Sequence, residues 1–298
     1  MAGLPRRQTR RTRKITGNTG PPAVIAGEAA AAAVDVAPTS PTPDMRAAAF
    51  FDIDNTVVRG ASLFHLARGL ASRKFFTATD VAAFAWKQAK YRVGGQEDVD
   101  DIASAIDAAL SFVAGHSVDE VTRLGDEIFD ERIEGKLYAG TIALARGHLD
   151  LGQRVWLVSA APVEVASLIA RKLGLTGALG TVSEVSGGVY TGRLVGAPLH
   201  GPAKAEAVRA LADREGLDLA QCAAYSDSSN DIPLLSLVGQ PIAINPDTKL
   251  RRHARALGWQ VFDYRTGRKA ARIGVPAAVV SGAAIGIAAG VLSAKRKR

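Results

Sequence analysis

Cysteine is nearly absent. Cys222 stands alone in 298 residues, which excludes an internal disulfide and any cysteine-built metal cluster. It opens an apolar run, where a small buried hydrophobe is the fitting role rather than a nucleophile. Acidic residues are missing from residues 1–18, which hold Arg6, Arg7, Arg10, Arg11, Arg13 and Lys14, and from the closing stretch Lys295 to Arg298. The net charge of +8 belongs to those two ends, because elsewhere 27 basic residues face 29 acidic ones. A near-neutral body excludes a specific nucleic-acid-reading domain. The basic opening also lacks an unbroken apolar segment, since Pro21, Pro22, Glu28 and Asp35 interrupt it, and this argues against an export signal. With no packed-core pattern, residues 1–46 read as a disordered, Pro- and Ala-rich basic arm.

What is present is enough for a sizeable core, at 47% apolar content. Residues 47–58, AAAFFDIDNTVV, organise the rest. The apolar run is too short for a helix and reads as a buried strand that ends in Asp52, Ile53, Asp54, Asn55 and Thr56. Taken alone, Asp-x-Asp-x-Thr also fits a strand running out into a polar turn. After it, residues 59–152 become helical. Leu63, Leu66 and Leu70 share one face, Val99, Ile102, Ile106, Leu110 and Val113 another, and Val121, Leu124, Ile128 and Phe129 a third. Ser117 and Glu120 make a capping box for that third helix. Most of these apolar residues belong to packing, as do Phe64, Phe75, Phe76, Tyr91 and Arg92 taken one at a time.

From Gln153 strand and helix alternate, which argues a mostly parallel α/β sheet. Residues 154–159 form a strand that stops at Ser159, and Pro162 is placed to open a helix closing at Gly174. Residues 187–196 alternate about Thr191 and Gly192 as a hairpin. Lys204 opens a helix over 203–214. Residues 222–225 form a further strand that ends in Ser226, Asp227, Ser228, Ser229, Asn230 and Asp231, and the runs 241–244 and 259–262 complete the sheet. Carboxylates, a hydroxyl and a second acidic cluster thus gather at the carboxyl ends of three parallel strands, with a lysine between the last two. This is the inventory that phosphoryl transfer needs.

In order and spacing, Asp52-Ile53-Asp54-Asn55-Thr56, Ser159, Lys204 and Asp227 to Asp231 resemble the four motifs of the haloacid dehalogenase superfamily of hydrolases. The details resemble its phosphoserine phosphatase-like branch, with a subclass I helical cap. The resemblance implies a Rossmann-like core over 47–58 and 153–264 and a cap over 59–152. It implies Asp52 as nucleophile, forming an aspartyl-phosphate, and Asp54 as general acid and base. An acid at that second position points to a phosphatase. Thr56, Ser159 and Lys204 would bind the phosphoryl group. Asp52, the Asp54 carbonyl and Asp227 would hold Mg²⁺, with Asp231 and Asn230 behind them, Asp231 orienting either the metal shell or Lys204. Two departures weigh against phosphoserine itself: Ala61 stands where that branch carries an acid, and Ser159-Ala160-Ala161-Pro162 replaces its Ser-Gly-Gly turn.

Residues 265–298 hold an uncharged stretch of 22 residues, Ile273 to Ala294, bracketed by basic residues. That length suffices for a bilayer span, and Gly282, Gly286 and Gly290 would permit helix pairing and a dimer. A helix docked on protein is the competing reading. The expectation is therefore a cytoplasmic phosphatase for a small phosphorylated metabolite. If the tail lies in a bilayer, a lipid phosphate such as lysophosphatidate or phosphatidylglycerol phosphate competes, and a catalytically silent phospho-binding scaffold is the reading from a different class.

Overall fold

The computed structural model describes residues 22–33, 46–73, 75, 110 and 113–265. The chain begins there with helix α1 (Pro22–Ala33) and strand β1 (Ala48–Phe51), followed by α2 (Ser62–Ser72) and α3 (Val118–Ile128). A π turn (Phe129–Ile133) and a 3-10 turn (Glu134–Lys136) lead to α4 (Ala139–Asp150), β2 (Arg154–Pro162) and α5 (Val163–Lys172). Next come β3 (Gly177–Thr181), β4 (Ser183–Ser186), β5 (Val189–Leu194) and α6 (Pro202–Glu215). The last elements are β6 (Ala223–Ser226), α7 (Ile232–Leu235), β7 (Gln240–Ile244), α8 (Thr248–Ala256) and β8 (Gln260–Phe262).

Six strands make one parallel sheet in the order β3-β2-β1-β6-β7-β8. The chain leaves β1 in one direction and returns to its other side at β6, so a switch point lies between them. Side chains alternate across β1. Ala49 and Phe51 join the core that includes α4, α5 and the inner face of α2, while Ala48 and Phe50 join the core under α1, α6 and α8. With both faces covered, β1 is buried at every position, which is why it reads as a continuous apolar run. The Phe51 ring stacks on Tyr225 at 4.1 Å, and the Tyr225 hydroxyl meets His148 Nε2 at 2.7 Å. Thus α4, expected in the cap, is tied to the sheet and closes the core.

Two expectations are corrected. Part of the expected disordered arm is helix α1, packed on α6. It has no polar face to betray it, because Ala26, Ala29 and Ala30 bury against α6 by close approach rather than by amphipathic contrast. A Cβ at Gly27 would stand 2.8 Å from the Ala207 nitrogen, so only glycine permits that distance. The hairpin also turns earlier than expected. Gly187 and Gly188 both have positive φ, 61° and 81°, as a two-residue hairpin turn of matching twist demands. Thr191 and Gly192 lie within β5, whose alternation belongs to a single strand.

Half of the expected capping box forms: Ser117 Oγ accepts from the Glu120 N–H at 3.1 Å, while the Glu120 carboxylate meets His116 Nδ1 at 3.4 Å. Among the described residues no helix is long and apolar enough to cross a membrane. Ile273 to Ala294, Gly282, Gly286, Gly290, the basic N-terminal stretch, Phe76, Tyr91 and Arg92 lie outside the described residues.

Candidate active site

Asp52 follows the last residue of β1, and its N–H donates to the Tyr225 carbonyl at 2.9 Å. The loop beyond is wound tightly. Val57 and Val58 N–H both donate to the Ile53 carbonyl, and Asn55 takes a left-handed φ of 56°, which its short polar side chain tolerates. Asn55 Oδ1 accepts from the Gly60 N–H at 3.0 Å. This winding returns Asp54 to the start of α2, where its Oδ1 accepts the Ser62 N–H at 2.8 Å. The carboxylate of Asp54 therefore caps a helix whose preceding residue, Ala61, offers no cap of its own.

Lys204 sits in the first turn of α6, 4% exposed. Its Nζ donates to Asp52 Oδ1 at 2.6 Å and to Asp231 Oδ2 at 2.8 Å. Asp231 Oδ2 also accepts from Ser226 Oγ at 2.7 Å, so of its two expected tasks the geometry shows the one toward Lys204. Ser159 is buried near the end of β2, and its Oγ accepts from the Ala161 N–H at 3.1 Å, leaving the hydroxyl proton free. Thr56 is wholly buried, and its Oγ1 has no protein partner. Asp227 lies just past β6, half-buried. Asn230 does not join this cluster: it is exposed, and its N–H donates to Ser228 Oγ.

The electrostatics are those of too much negative charge in too dry a place. Burial pushes the Asp52 carboxyl up to about 7; Lys204 opposes that shift, while Asp231 and Asp54 add to it. Burial, then the charge on Asp52, pushes Asp227 up to about 8. Burial alone would push Lys204 down, but Asp231 and Asp52 outweigh it and hold the ammonium firmly charged. One lysine does not neutralise this set, and a cation is what it lacks. No group of three or more His, Cys, Asp or Glu side chains converges as a metal cage among the described residues. The donors that the resemblance implies are two carboxylates, Asp52 and Asp227, with the Asp54 carbonyl, and the charge on Asp52 does reach Asp227. Such an all-oxygen, incomplete shell fits a hard cation that keeps several waters.

The sign of the resulting pH dependence is fixed. Folded Asp52 and Asp227 hold protons that an unfolded chain releases near pH 4. The stability this contributes is fully present below that pH and is lost as pH rises through 7 and 8. The metal-free protein is expected to melt several degrees lower at pH 8.5 than at pH 6, and millimolar Mg²⁺ to remove most of the difference, as differential scanning fluorimetry would show.

Two further residues build the site without having announced themselves. Asn245, buried at φ 48°, donates to the Asn55 carbonyl at 2.7 Å and so braces the loop after Asp52. Asp247 caps α8 through the Leu250 N–H, and its other oxygen accepts from the Ser229 N–H at 2.7 Å, while its own N–H donates to the Asp227 carbonyl. Asn245-Pro246-Asp247 between a strand and a helix is a helix-start signal, and only its local meaning is visible in sequence.

A family model described as haloacid dehalogenase-like hydrolase matches residues 49–236, the span that holds all of these groups up to Asp231. The chain belongs to that family. It is thus a haloacid dehalogenase-like hydrolase, of the phosphatase type. It is 55% identical over 258 residues to the phosphoserine phosphatase SerB1 of Mycobacterium tuberculosis, covering 87% of this chain and 84% of that protein. It is 28% identical over 225 residues to a histidinol-phosphatase of Neisseria meningitidis, covering 74% of this chain and 100% of the relative. A solved Bordetella pertussis protein of unknown function superposes with a TM-score of 0.65 at 32% identity, over 74% of this chain and 99% of that one.

Proposed function

We propose that this haloacid dehalogenase-like hydrolase is a Mg²⁺-dependent phosphomonoester hydrolase acting on a small phosphorylated metabolite through an aspartyl-phosphate. The observation that carries the reading is the buried Asp52–Lys204 pair, with Asp54 held two residues away at the head of α2. Asp52 Oδ attacks phosphorus, the ester P–O bond breaks, and Asp54 gives its proton to the departing alkoxide. Asp54, now a carboxylate, takes a proton from water; the resulting hydroxide attacks phosphorus, the P–O bond to Asp52 breaks, and inorganic phosphate leaves. Lys204, Ser159 and the unpartnered hydroxyl of Thr56 would hold the phosphoryl oxygens, and Asp231 and Ser226 fix Lys204 in place. Mg²⁺ on Asp52, the Asp54 carbonyl and Asp227 would offset charge on nucleophile and phosphate and orient them.

The names of two relatives, a phosphoserine phosphatase and a histidinol-phosphatase, support a small soluble ester as substrate. The test is phosphate release by the purified chain from a panel of soluble phosphomonoesters and detergent-dispersed lysophosphatidate and phosphatidylglycerol phosphate. Release from soluble esters is expected with Mg²⁺ and is expected to stop on chelation. Preference for a lipid ester would overturn the substrate class, and release that survives chelation would overturn the metal.

A further inference from the structure

Of the groups assigned to Mg²⁺, Asp52 is tied to β6 through its N–H, but the Asp54 carbonyl belongs to the loop after β1 and Asp227 to the loop after β6. The turn Asn245-Pro246-Asp247, between β7 and α8, holds both loops at once. On one side, Asn245 Nδ2 donates to the Asn55 carbonyl at 2.7 Å, while the Asn55 N–H donates to the Val58 carbonyl at 2.7 Å. The N–H and C=O of a trans peptide point in opposite directions, so the bond to Val58 turns the Asp54 carbonyl away from Val58. The bond from Asn245 keeps the next peptide from rotating. On the other side, the Asp247 N–H donates to the Asp227 carbonyl at 2.8 Å, and Asp247 Oδ2 accepts from the Ser229 N–H at 2.7 Å. The turn is itself anchored. Asn245 is buried, its N–H donates to the Phe262 carbonyl at 2.7 Å, and its Oδ1 accepts from the Tyr264 N–H at 2.6 Å. Asp247 Oδ1 caps α8.

We propose that this turn fixes the spacing between the Asp54 carbonyl and Asp227, and that Asn245 and Asp247 are thereby positioning residues that make the site prefer Mg²⁺ to Ca²⁺. The inference rests on the Mg²⁺ reading above and deepens it. Both cations carry the same charge and take oxygen donors, so the donor set alone does not separate them. Geometry does. Mg²⁺ demands near-octahedral donors at about 2.1 Å, whereas Ca²⁺ accepts more oxygens at about 2.3–2.6 Å in a flexible shell. Two loops pinned to one anchored turn resist spreading to the longer distance, and loops released from it do not.

The test is isothermal titration calorimetry of Mg²⁺ and of Ca²⁺ into the metal-free protein at pH 8.5, reading the ratio of the two dissociation constants. Asn245→Gly removes the side-chain amide and keeps the backbone, because a φ of 48° suits glycine. In that variant Mg²⁺ affinity is expected to fall by about tenfold and Ca²⁺ affinity by about threefold or less, so the preference shrinks. Asp247→Asn keeps one oxygen for the cap of α8 and loses the acceptor for the Ser229 N–H. It is expected to move the ratio the same way, and decides the matter if Asn245→Gly does not fold. Ser117→Ala, which removes a helix cap and touches neither loop, is expected to lower the Tm and leave the ratio unmoved. A parent protein without a preference for Mg²⁺, a ratio unmoved in the turn variants, or one moved equally by Ser117→Ala overturns the inference and leaves the phosphatase reading intact. If the parent binds neither cation, the Mg²⁺ reading fails and this inference with it.

Discussion

Asp52→Asn is expected to lower phosphate release by about 10⁴-fold or more while leaving the protein folded. The amide has the shape of the carboxylate, and its oxygen can still accept the Lys204 ammonium that lies 2.6 Å from Asp52 Oδ1. What it cannot do is attack phosphorus, and nothing nearby can take its place. Lys204 is held charged between two carboxylates, and Ser159 has no general base bonded to its hydroxyl. The substitution also removes a carboxyl that burial has pushed up to about 7, so above that pH the metal-free variant is expected to be at least as stable as the parent. Single-turnover phosphate release and thermal melts at pH 8 are the measurements. Undiminished turnover would sink the aspartyl-phosphate mechanism.

The parts legible in the sequence are those whose signal is local. Residues 48–51 are buried on both faces and end in acids, so both the strand and the site at its mouth could be read from one short stretch. Lys204 could be placed at the opening of a helix over 203–214, which the structure begins at Pro202. The family resemblance then joined Asp52, Ser159, Lys204 and Asp227, which no periodicity links, and the structure brings Lys204 onto Asp52 across 152 positions of chain.

What stayed hidden depends on partners distant in sequence. Helix α1 carries no amphipathic stripe, because alanine and glycine meet α6 backbone to backbone, and a run of alanines looks the same in a tail as in such a contact. Ser226 is one more strand residue until Asp231 is seen to accept its hydroxyl. Within the last motif, the 3-10 turn at Ser229–Asp231 buries Asp231 and leaves Asn230 exposed, a difference that their adjacency in sequence does not show.

Lys204→Met carries the largest expected cost to stability, and a large one to activity. The side chain keeps its length and apolar stem but loses the charge that touches Asp52 at 2.6 Å and Asp231 at 2.8 Å. Removing one partner of a buried ionic cluster costs about 3–5 kcal/mol when the remaining charges persist. Here they need not persist at every pH. The Asp52 carboxyl is already pushed up to about 7 with the lysine present, and without it the carboxyl rises further and takes up a proton instead. The loss is therefore expected to be small at pH 5.5 and to approach the full figure at pH 8.5, a contrast that urea unfolding at the two values would reveal. Turnover is expected to fall by about 10²- to 10⁴-fold at any pH, since no other described cation is in contact with Asp52. Lys204→Arg is not expected to restore it, because a planar fork does not fit where a single Nζ, 4% exposed, serves two carboxylates at once. A variant equally destabilised at both pH values would mean that lost packing dominates over the unpaired carboxylates. Full activity would mean that Lys204 holds the fold and takes no part in phosphoryl transfer.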